Sequence, residues 1–518
     1  MDGQVGAAGS GEVDFVLDGQ PVTVPADGAS LLEALRDRLG VRSVKDGCSP
    51  QGQCGCCTVL VDGQPRVACV TPVARVAGRA VTTVDGLPGA DRWAEAFCAT
   101  GASQCGFCTP GIVVRLAALG AGADRAAVDR ALLAHLCRCT GWQTIREAVA
   151  EHDRPGGAAG RDLAAAERRA ALEGGVPQRV APDVALGRGG FADDLAPADA
   201  LVAVRGADGS WVVAETLTAA RAAAGKVQGR RTTVGITWPI EVPPGTWART
   251  LRTTWVEPGY LEPDASWCEP GGVPLSPLRN GGAFGGKARS EVEAVARRLA
   301  DEHGRPVRVL ASREDVVRLG RKRPPLAAGI RSDGTGVVRV ARCPGMAEAI
   351  TSVAPGLTVE EVDVAGPPVS TDLRGAGWVE AAVLLASLRD GPDEVRSPSG
   401  GVAAATVDDE GIHVRARCGD PLDEVVLRSY CIGAAHMALG WVTSEAIAVD
   451  AAGVPHDLTI RSFGILRAAD MPLVTVEITA DAGPPVNGSD AVFAAVAAAV
   501  WRHHGFPEAW PTQRRARS

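Results

Sequence analysis

Lysine is nearly missing from this chain: Lys45, Lys226, Lys287 and Lys322 are the only four among 53 basic residues, and arginine supplies the rest. Against that background a lysine inside a motif needs a reason, and Lys45 and Lys287 both lie in motifs. A basic surface is missing too. The net charge of −8 leaves no basic face for nucleic acid. No run approaches the roughly 18 apolar residues that a membrane-spanning helix needs. Residues 1–12 are small, polar and glycine-rich, without the basic-then-apolar layout of an export signal. These absences predict a soluble protein with neither a nucleic-acid nor a membrane partner. Fourteen cysteines without an export signal point to a reducing compartment, the cytosol, where thiols serve more often as metal ligands than as disulfides.

What is present is a globular composition. The 518 residues allow two to four domains, the hydrophobic share is 46%, and Gly 63 and Pro 35 predict many turns without reaching the level of a disordered chain. Asp18-Gly19 and Asp62-Gly63 each separate two short β-branched runs and read as hairpin turns. Between the hairpins, Ser30 and Glu33 form a capping box, and Leu31, Leu32, Leu35 and Leu39 recur at helical spacing. Hairpin, helix, cysteine loop, hairpin is the order of a small sheet grasping one helix. From about Trp93 the pattern turns helical, with runs at 112–119, 126–136 and 144–149. The predicted organisation is α+β and multidomain: a tail at 1–12, a ferredoxin-like domain at 13–88, a helical domain at 89–153, an Ala/Arg/Glu-rich linker with some helical tendency at 154–176, and an α+β region at 177–518.

Two groups of four cysteines carry most of the chemistry. Cys48, Cys54, Cys57 and Cys69 crowd three thiols into one loop and return the fourth on a strand. Gly47, Gly52 and Gly55 let that loop curl so that backbone N–H groups point at sulfur, which lowers the cost of gathering negative charge. Cys105, Cys108, Cys137 and Cys139 form a second group if the helices beside them pack together. Zinc is the competing reading, but zinc sites usually pair two Cys-x-x-Cys knuckles, so the first arrangement favours a two-iron cluster. Whether Cys56 or Cys57 completes the first group stays open, with the spacing to Cys69 favouring Cys57.

The stretches Lys45-Asp46-Gly47-Cys48, Gly52-Gln53-Cys54-Gly55-Cys56-Cys57-Thr58-Val59, Gln104-Cys105-Gly106-Phe107-Cys108-Thr109-Pro110-Gly111 and Cys137-Arg138-Cys139-Thr140-Gly141-Trp142 resemble the tandem iron–sulfur domains of the xanthine dehydrogenase/aldehyde oxidase family of molybdenum hydroxylases. The resemblance covers roughly 13–152. It implies a β-grasp ferredoxin domain and a four-helix domain, each holding one [2Fe–2S] cluster, with Gln104 near the pterin and Cys139 on the electron route. The first cysteine gap is one residue longer than the family's, and Cys56 stands where the family usually has alanine.

Further on, Gly281-Gly282-Ala283-Phe284-Gly285-Gly286-Lys287 reads by itself as a turn or as an anion-binding glycine loop ahead of a helix at 291–303. It resembles the molybdopterin-contacting loop of the same family, and Arg374-Gly375-Ala376-Gly377 resembles a second pterin-side loop. Residues 188–195, 257–263, 305–314, 440–441 and 468–472 resemble other pieces of that subunit in order. The region after the linker is about half the family's usual length, which implies a reduced α+β molybdopterin-binding domain. The family's Gly-Glu pair, whose carboxylate is a general base, is replaced by 482–490, where Asp490 is the candidate substitute. The resemblance thus implies a molybdopterin-dependent oxidoreductase acting on an aldehyde or N-heteroaromatic compound, with electrons leaving to a separate FAD-binding subunit or redox carrier. Its alternative is a non-catalytic electron-transfer or scaffold subunit. Substrate identity and homo- or hetero-oligomeric state are open at this level.

Overall fold

The computed structural model describes residues 11–154, 160–226, 234–275, 282–391, 394–479 and 481–513. Alternating apolar residues build β1 (Glu12–Leu17), which buries Val13, Phe15 and Leu17 and claims Glu12 from the expected tail. It pairs with β2 (Gln20–Pro25) across Asp18-Gly19, whose φ values of 49° and 82° are those an Asp-Gly hairpin turn demands. A short helix, α1 (Leu31–Glu33), runs on into a π-type turn, Ala34–Arg38, and sinks Leu31, Leu32 and Leu35 into the core that holds Phe15 and Leu17. Only half of the expected capping box forms. Ser30 Oγ accepts the Glu33 N–H, but the Glu33 carboxylate takes N–H and hydroxyl hydrogens from Thr218 at 3.1 and 2.6 Å. Strands β3 (Thr58–Val61) and β4 (Gln64–Val67) turn at Asp62-Gly63, and β5 (Ala80–Thr82) runs parallel to β1, giving the order β2-β1-β5-β3-β4. Cys69, expected on a strand, lies instead in a 3-10 turn, Ala68–Val70, just past β4.

The next unit is four helices: α2 (Ala90–Thr100), α3 (Thr109–Ala117), α4 (Arg125–Leu132) and α5 (Gln143–Asp153). The apolar period suggests that α4 reaches 136, but it stops at Leu132, which frees Cys137 and Cys139 to stand on a loop. The expected linker is a correction of larger consequence. Residues Leu163–Gly174 form α6, whose small alanines let it sink into the body with Arg169 and Glu173 fully buried. Arg169 donates to Pro421 O, Asp420 O and Val486 O and pairs with Glu173 at 3.0 Å.

Beyond α7 (Pro182–Ala185) the described residues build three four-stranded sheets. In chain order the elements are β6 (Leu201–Arg205), β7 (Trp211–Ala214), α8 (Leu217–Ala224), β8 (Arg249–Arg252), β9 (Ala265–Cys268), α9 (Val292–His303) and β10 (Val307–Leu310). They continue with α10 (Arg313–Leu319), β11 (Leu326–Ile330), β12 (Gly336–Ala341), α11 (Met346–Val353), β13 (Leu357–Val362) and α12 (Trp378–Ala386). The last are β14 (Val395–Arg396), β15 (Val402–Asp408), β16 (Gly411–Arg417), α13 (Glu424–Thr443), β17 (Val474–Ile478) and α14 (Ser489–His503). The sheets run β7-β6-β10-β9, β13-β12-β11-β8 and β14-β15-β16-β17, so each mixes near and distant strands as an α+β fold does. Helix α13, unlike the sequence expectation, is long and apolar enough to cross a membrane, with mean hydropathy 1.3; 83% of that stretch is buried against its neighbours, as in a core helix.

A buried ion network joins the first domain to this region. Arg36 reaches Asp193 at 2.7 Å and Asp194 at 2.9 Å, Arg308 on β10 reaches Asp37 at 2.6 Å and Asp193 at 3.2 Å, and Lys45 pairs with Asp194. Burial opposes ionisation of Asp193, yet Arg308 and Arg36 hold its carboxyl below the usual range. Removing one partner strands the others without water. Asp194→Ala is expected to cost ~3–5 kcal/mol, read as a lower unfolding temperature and faster proteolysis between the two parts. Lys45→Met combined with Asp194→Leu is expected to recover most of that loss.

Candidate functional site

Cys48, Cys54, Cys57 and Cys69 meet at the edge of the β3–β4 hairpin, every one buried. Thiol hydrogen bonds join Cys48 to Cys54 and to Cys69, and Cys69 to Cys57, whose sulfur also accepts the Cys69 N–H at 3.4 Å. The N–H groups of Gln51 and Gln53 point at Cys48 Sγ from 3.2 and 3.4 Å. Hydrogen bonds from Cys54 and then Cys69 pull the Cys48 thiol well below its ordinary range, while its bond to Cys48 pushes Cys54 up. Protons are thus shared unevenly among crowded sulfurs, which is the state a metal resolves by displacing them. The residue that lengthens this loop is accommodated by Ser49 at φ 40° and by Gln51, whose amide bridges Leu458 O and the Ile460 N–H. Cys56 touches Cys54 in turn, so five thiols gather at this place.

The second group forms where the loop before α3 meets the turn before α5. Cys105 and Cys139 lie 3.6 Å apart, and Cys108 hydrogen-bonds to Cys137, which also meets Thr140 Oγ1 at 3.2 Å. The Cys137 thiol is drawn down to about 6, the bond from Cys108 being the largest cause. Among the described residues no three His, Cys, Asp or Glu side chains converge on one point as a single ion requires. At the first place Cys48 bridges Cys54 and Cys69, which continues to Cys57; at the second the thiols lie as two pairs, Cys105 with Cys139 and Cys108 with Cys137. A two-iron cluster takes four thiolates as two pairs, whereas zinc takes four around one centre, so the pairing at the second place favours iron–sulfur.

The glycine-rich loop lies against the second group. A Cβ on Gly282, at φ +87°, would stand 2.9 Å from Cys139 Sγ and 3.1 Å from Cys105 Sγ. The loop is not the amino end of α9, which begins only at Val292; it is laced to the 372–374 segment by Arg374 N–H to Phe284 O at 3.0 Å. Gly281 lies outside the described residues, while Gly282, Ala283, Phe284, Gly285, Gly286 and Lys287 are placed. Phe284, Lys287, Arg374, Asp490, Trp378 and Glu173 line a cavity of about 530 Å³. Arg374 lies over the Phe284 ring at 4.7 Å and donates to Asp490 at 2.7 Å and to Ser489 Oγ. Lys287 pairs with buried Glu262, whose carboxyl is pushed up to about 7 by burial against the opposing pull of Lys287.

Gln104 ties the two features together. Its Nε2 donates to Cys139 O at 3.1 Å and to Ser429 Oγ at 2.9 Å, and its Oε1 is buried with no donor facing it. The Gln178 amide and the Tyr430 hydroxyl line the same crevice and also lack partners of good geometry. Such orphaned groups are costly unless a polar ligand satisfies them. Spacing alone could not reveal Gln178, Glu173 or Tyr430, because nothing in their own stretches repeats a motif, whereas Glu262 lies in the 257–263 stretch that carried a resemblance.

The family described as "2Fe-2S iron-sulfur cluster binding domain" matches residues 15–74, and "[2Fe-2S] binding domain" matches residues 83–150. The xanthine dehydrogenase iron–sulfur-binding subunit of Escherichia coli O157:H7 is 35% identical over 151 residues, covering 27% of this chain and 94% of that protein. Xanthine dehydrogenase of Drosophila pseudoobscura pseudoobscura is 39% identical over 159 residues, covering 26% of this chain and only 12% of the relative's length. The aldehyde oxidoreductase of Desulfovibrio gigas shares the fold, with a TM-score of 0.70 at 16% identity across 97% of this chain and 99% of that one.

Two substitutions test the grouping. Cys108→Ser is expected to remove one iron–sulfur signature from the electron paramagnetic resonance spectrum and leave the other. Gly282→Ala, which drives a methyl onto Cys139 and Cys105, is expected to remove the same signature as Cys108→Ser, and loss of neither would refute the placement.

Proposed function

The chain belongs to the xanthine dehydrogenase/aldehyde oxidase family of molybdenum hydroxylases, and we propose that it serves there as an iron–sulfur oxidoreductase passing electrons from a molybdopterin site through two [2Fe–2S] clusters to an external acceptor. Cys48, Cys54, Cys57 and Cys69 would hold one cluster, and Cys105, Cys108, Cys137 and Cys139 the other. The observation that carries this reading is the contact of Gly282 with the sulfurs of Cys105 and Cys139. A loop suited to a pterin lies directly on thiols suited to a cluster, so no further carrier is needed between them.

The residues around the cavity fit the cofactor. In a separate crevice Gln104 Oε1 offers a buried acceptor to an N–H-bearing heterocycle, and Lys287 and Arg374 on the cavity wall, each paired with one carboxylate, would offer further donors to an anionic group. When bound, the molybdenum cofactor supplies the two-electron oxidation of a carbon centre, and the clusters divide it into single-electron steps. Phe284 and Trp378 offer an apolar wall to a flat substrate, an aldehyde or N-heteroaromatic compound. Asp490 fixes the Arg374 guanidinium over Phe284. The acceptor would be a separate FAD-binding subunit or redox carrier, in line with a relative that is itself an iron–sulfur-binding subunit.

One observation favours the second reading, a relay or scaffold without hydroxylation of its own. The three carboxylates described on the cavity wall are all engaged. Glu173 is held by Arg169 and by the N–H groups of Gly488 and Ser489, Asp372 by Ser370 and Arg289, and Asp490 by Arg374. A general base needs a free lone pair directed at substrate, which Glu173, bonded through both oxygens, does not offer, whereas Asp490 keeps Oδ2 outside its bond to Arg374.

Metal analysis of anaerobically purified protein separates the two: about four irons with one molybdenum per chain supports the enzyme, and four irons alone the relay. Lys287→Ala is expected to lower pterin content severalfold while iron content holds; unchanged pterin would remove Lys287 from the cofactor site.

A further inference from the structure

Every buried lysine and arginine among the described residues has a carboxylate within ion-pair reach except Arg313. Arg313 opens α10 and is 0% exposed. The acids beside it in sequence are committed elsewhere: Glu314 to Arg318, and Asp315 to Lys226 and to the Ser312 N–H that starts the helix. Its Nη2 donates to Gly47 O at 2.7 Å and to Leu261 O at 2.8 Å, whereas Nε and Nη1 are buried with no acceptor. The Tyr260 ring, 5.8 Å from the guanidinium carbon, compensates the charge only in part. A cation stripped of water is costly unless an anion answers it.

The first thiol group stands where that anion would be. Gly47 precedes Cys48, and a Cβ on it would lie 3.0 Å from Cys54 Sγ, 2.9 Å from Cys56 Sγ and 3.2 Å from Leu261 O. One residue thus meets the guanidinium through its carbonyl and the sulfurs through its Cα. Four thiolates around two irons carry a net negative charge that grows on reduction, and net charge is one of the factors that set a cluster's potential. We propose that Arg313 is the counter-charge of the first cluster, not a ligand to it, and that it raises that cluster's reduction potential by stabilising the reduced, more negative state. Arginine holds its charge throughout, and burial keeps salt from screening it. The step is a one-electron reduction in which no bond forms or breaks, and the electron comes from the reductant of the titration or, in turnover, from the second cluster. This inference rests on the two-cluster reading above.

The test is an anaerobic redox titration of the full chain followed by electron paramagnetic resonance, the signal that survives Cys108→Ser being assigned to the first cluster. Arg313→Gln keeps an N–H donor for the two carbonyls and removes the charge. It is expected to retain about four irons and to shift the first cluster's reduction equilibrium about tenfold toward the oxidised form, ~59 mV for one electron. Arg313→Lys, which keeps the charge, is expected to stay within about twofold of wild type, and the second cluster should move in neither variant. A shift below about twofold in Arg313→Gln overturns the proposal, and so does an equal shift in both variants, which would mark a packing effect. Should Arg313→Gln fail to hold the first cluster, retention of that cluster at its wild-type potential in Arg313→Lys supports the counter-charge, and its loss from both variants overturns it. Wild-type protein without iron would instead bring down the two-cluster reading beneath it.

Discussion

The two thiol groups lie side by side only because the peptide around each comes very close to that around the other, and this fold achieves that closeness with glycine. A Cβ on Gly111, just past Cys108, would lie 2.4 Å from Gly55 O and 2.8 Å from Cys56 O, so the loop of the first thiol group is seated on the helix of the second. A Cβ on Gly433 in α13 would lie 1.8 Å from Cys139 O, and Gly282 closes on the sulfurs from another direction. A side chain at any of these positions would meet an atom inside ordinary contact distance and push the layers apart. The domain arrangement follows from these approaches: the ferredoxin-like sheet, the helical unit, the glycine loop and α13 all converge on the same few residues.

Apolar contact alone would not fix such an arrangement, because it has no direction. Direction comes from the charged seam of Arg36, Asp37, Lys45, Asp193, Asp194 and Arg308, in which each charge has a named counterpart. Removing two charges from water costs several kcal/mol each, and the cost is offset only when geometry is good and the remaining donors are met. Arg36 meets its remaining donors with Val44 O at 2.8 Å and Arg42 O at 3.1 Å, and Lys45 meets Gly187 O at 2.7 Å. A slipped interface would leave these charges bare, so the seam penalises wrong dockings more than it stabilises the right one.

Local chemistry was legible in the sequence, and distant partnership was not. The Asp-Gly hairpins rest on interactions within a few residues, and each stands where turn preference put it. Cys69 shifted from strand to 3-10 turn because the pairing of β4 ends at Val67, which no single strand's pattern records. Helix α6 reads as a linker because its Ala/Arg/Glu composition suits a solvated helix equally well. Its burial follows from Arg169 finding Pro421 O and Val486 O, more than 250 positions away. The same holds for Glu33 and Thr218, and for Arg138, whose two nitrogens grip Glu445 at 2.5 and 2.9 Å beside the second centre.

The lysines join these themes. All four are paired with a carboxylate and largely buried: Lys45 with Asp194, Lys226 with Asp315, Lys287 with Glu262 and Lys322 with Glu257. Arginine is a planar fork that needs two acceptors side by side, whereas an ammonium is a compact charge with three donors that fits a narrow pocket among single carbonyls. Lys45 shows why the difference matters, since its nitrogen serves Arg42 O, Gly187 O and Asp194 at once and lies 4.8 Å from the Phe191 ring. Lys322 likewise serves Val316 O, Gly320 O and Glu257. In a chain that otherwise uses arginine for every basic position, lysine survives where a guanidinium would not fit. Two of those places, at Lys45 and Lys287, flank the segments that carry the first thiol group and the cavity.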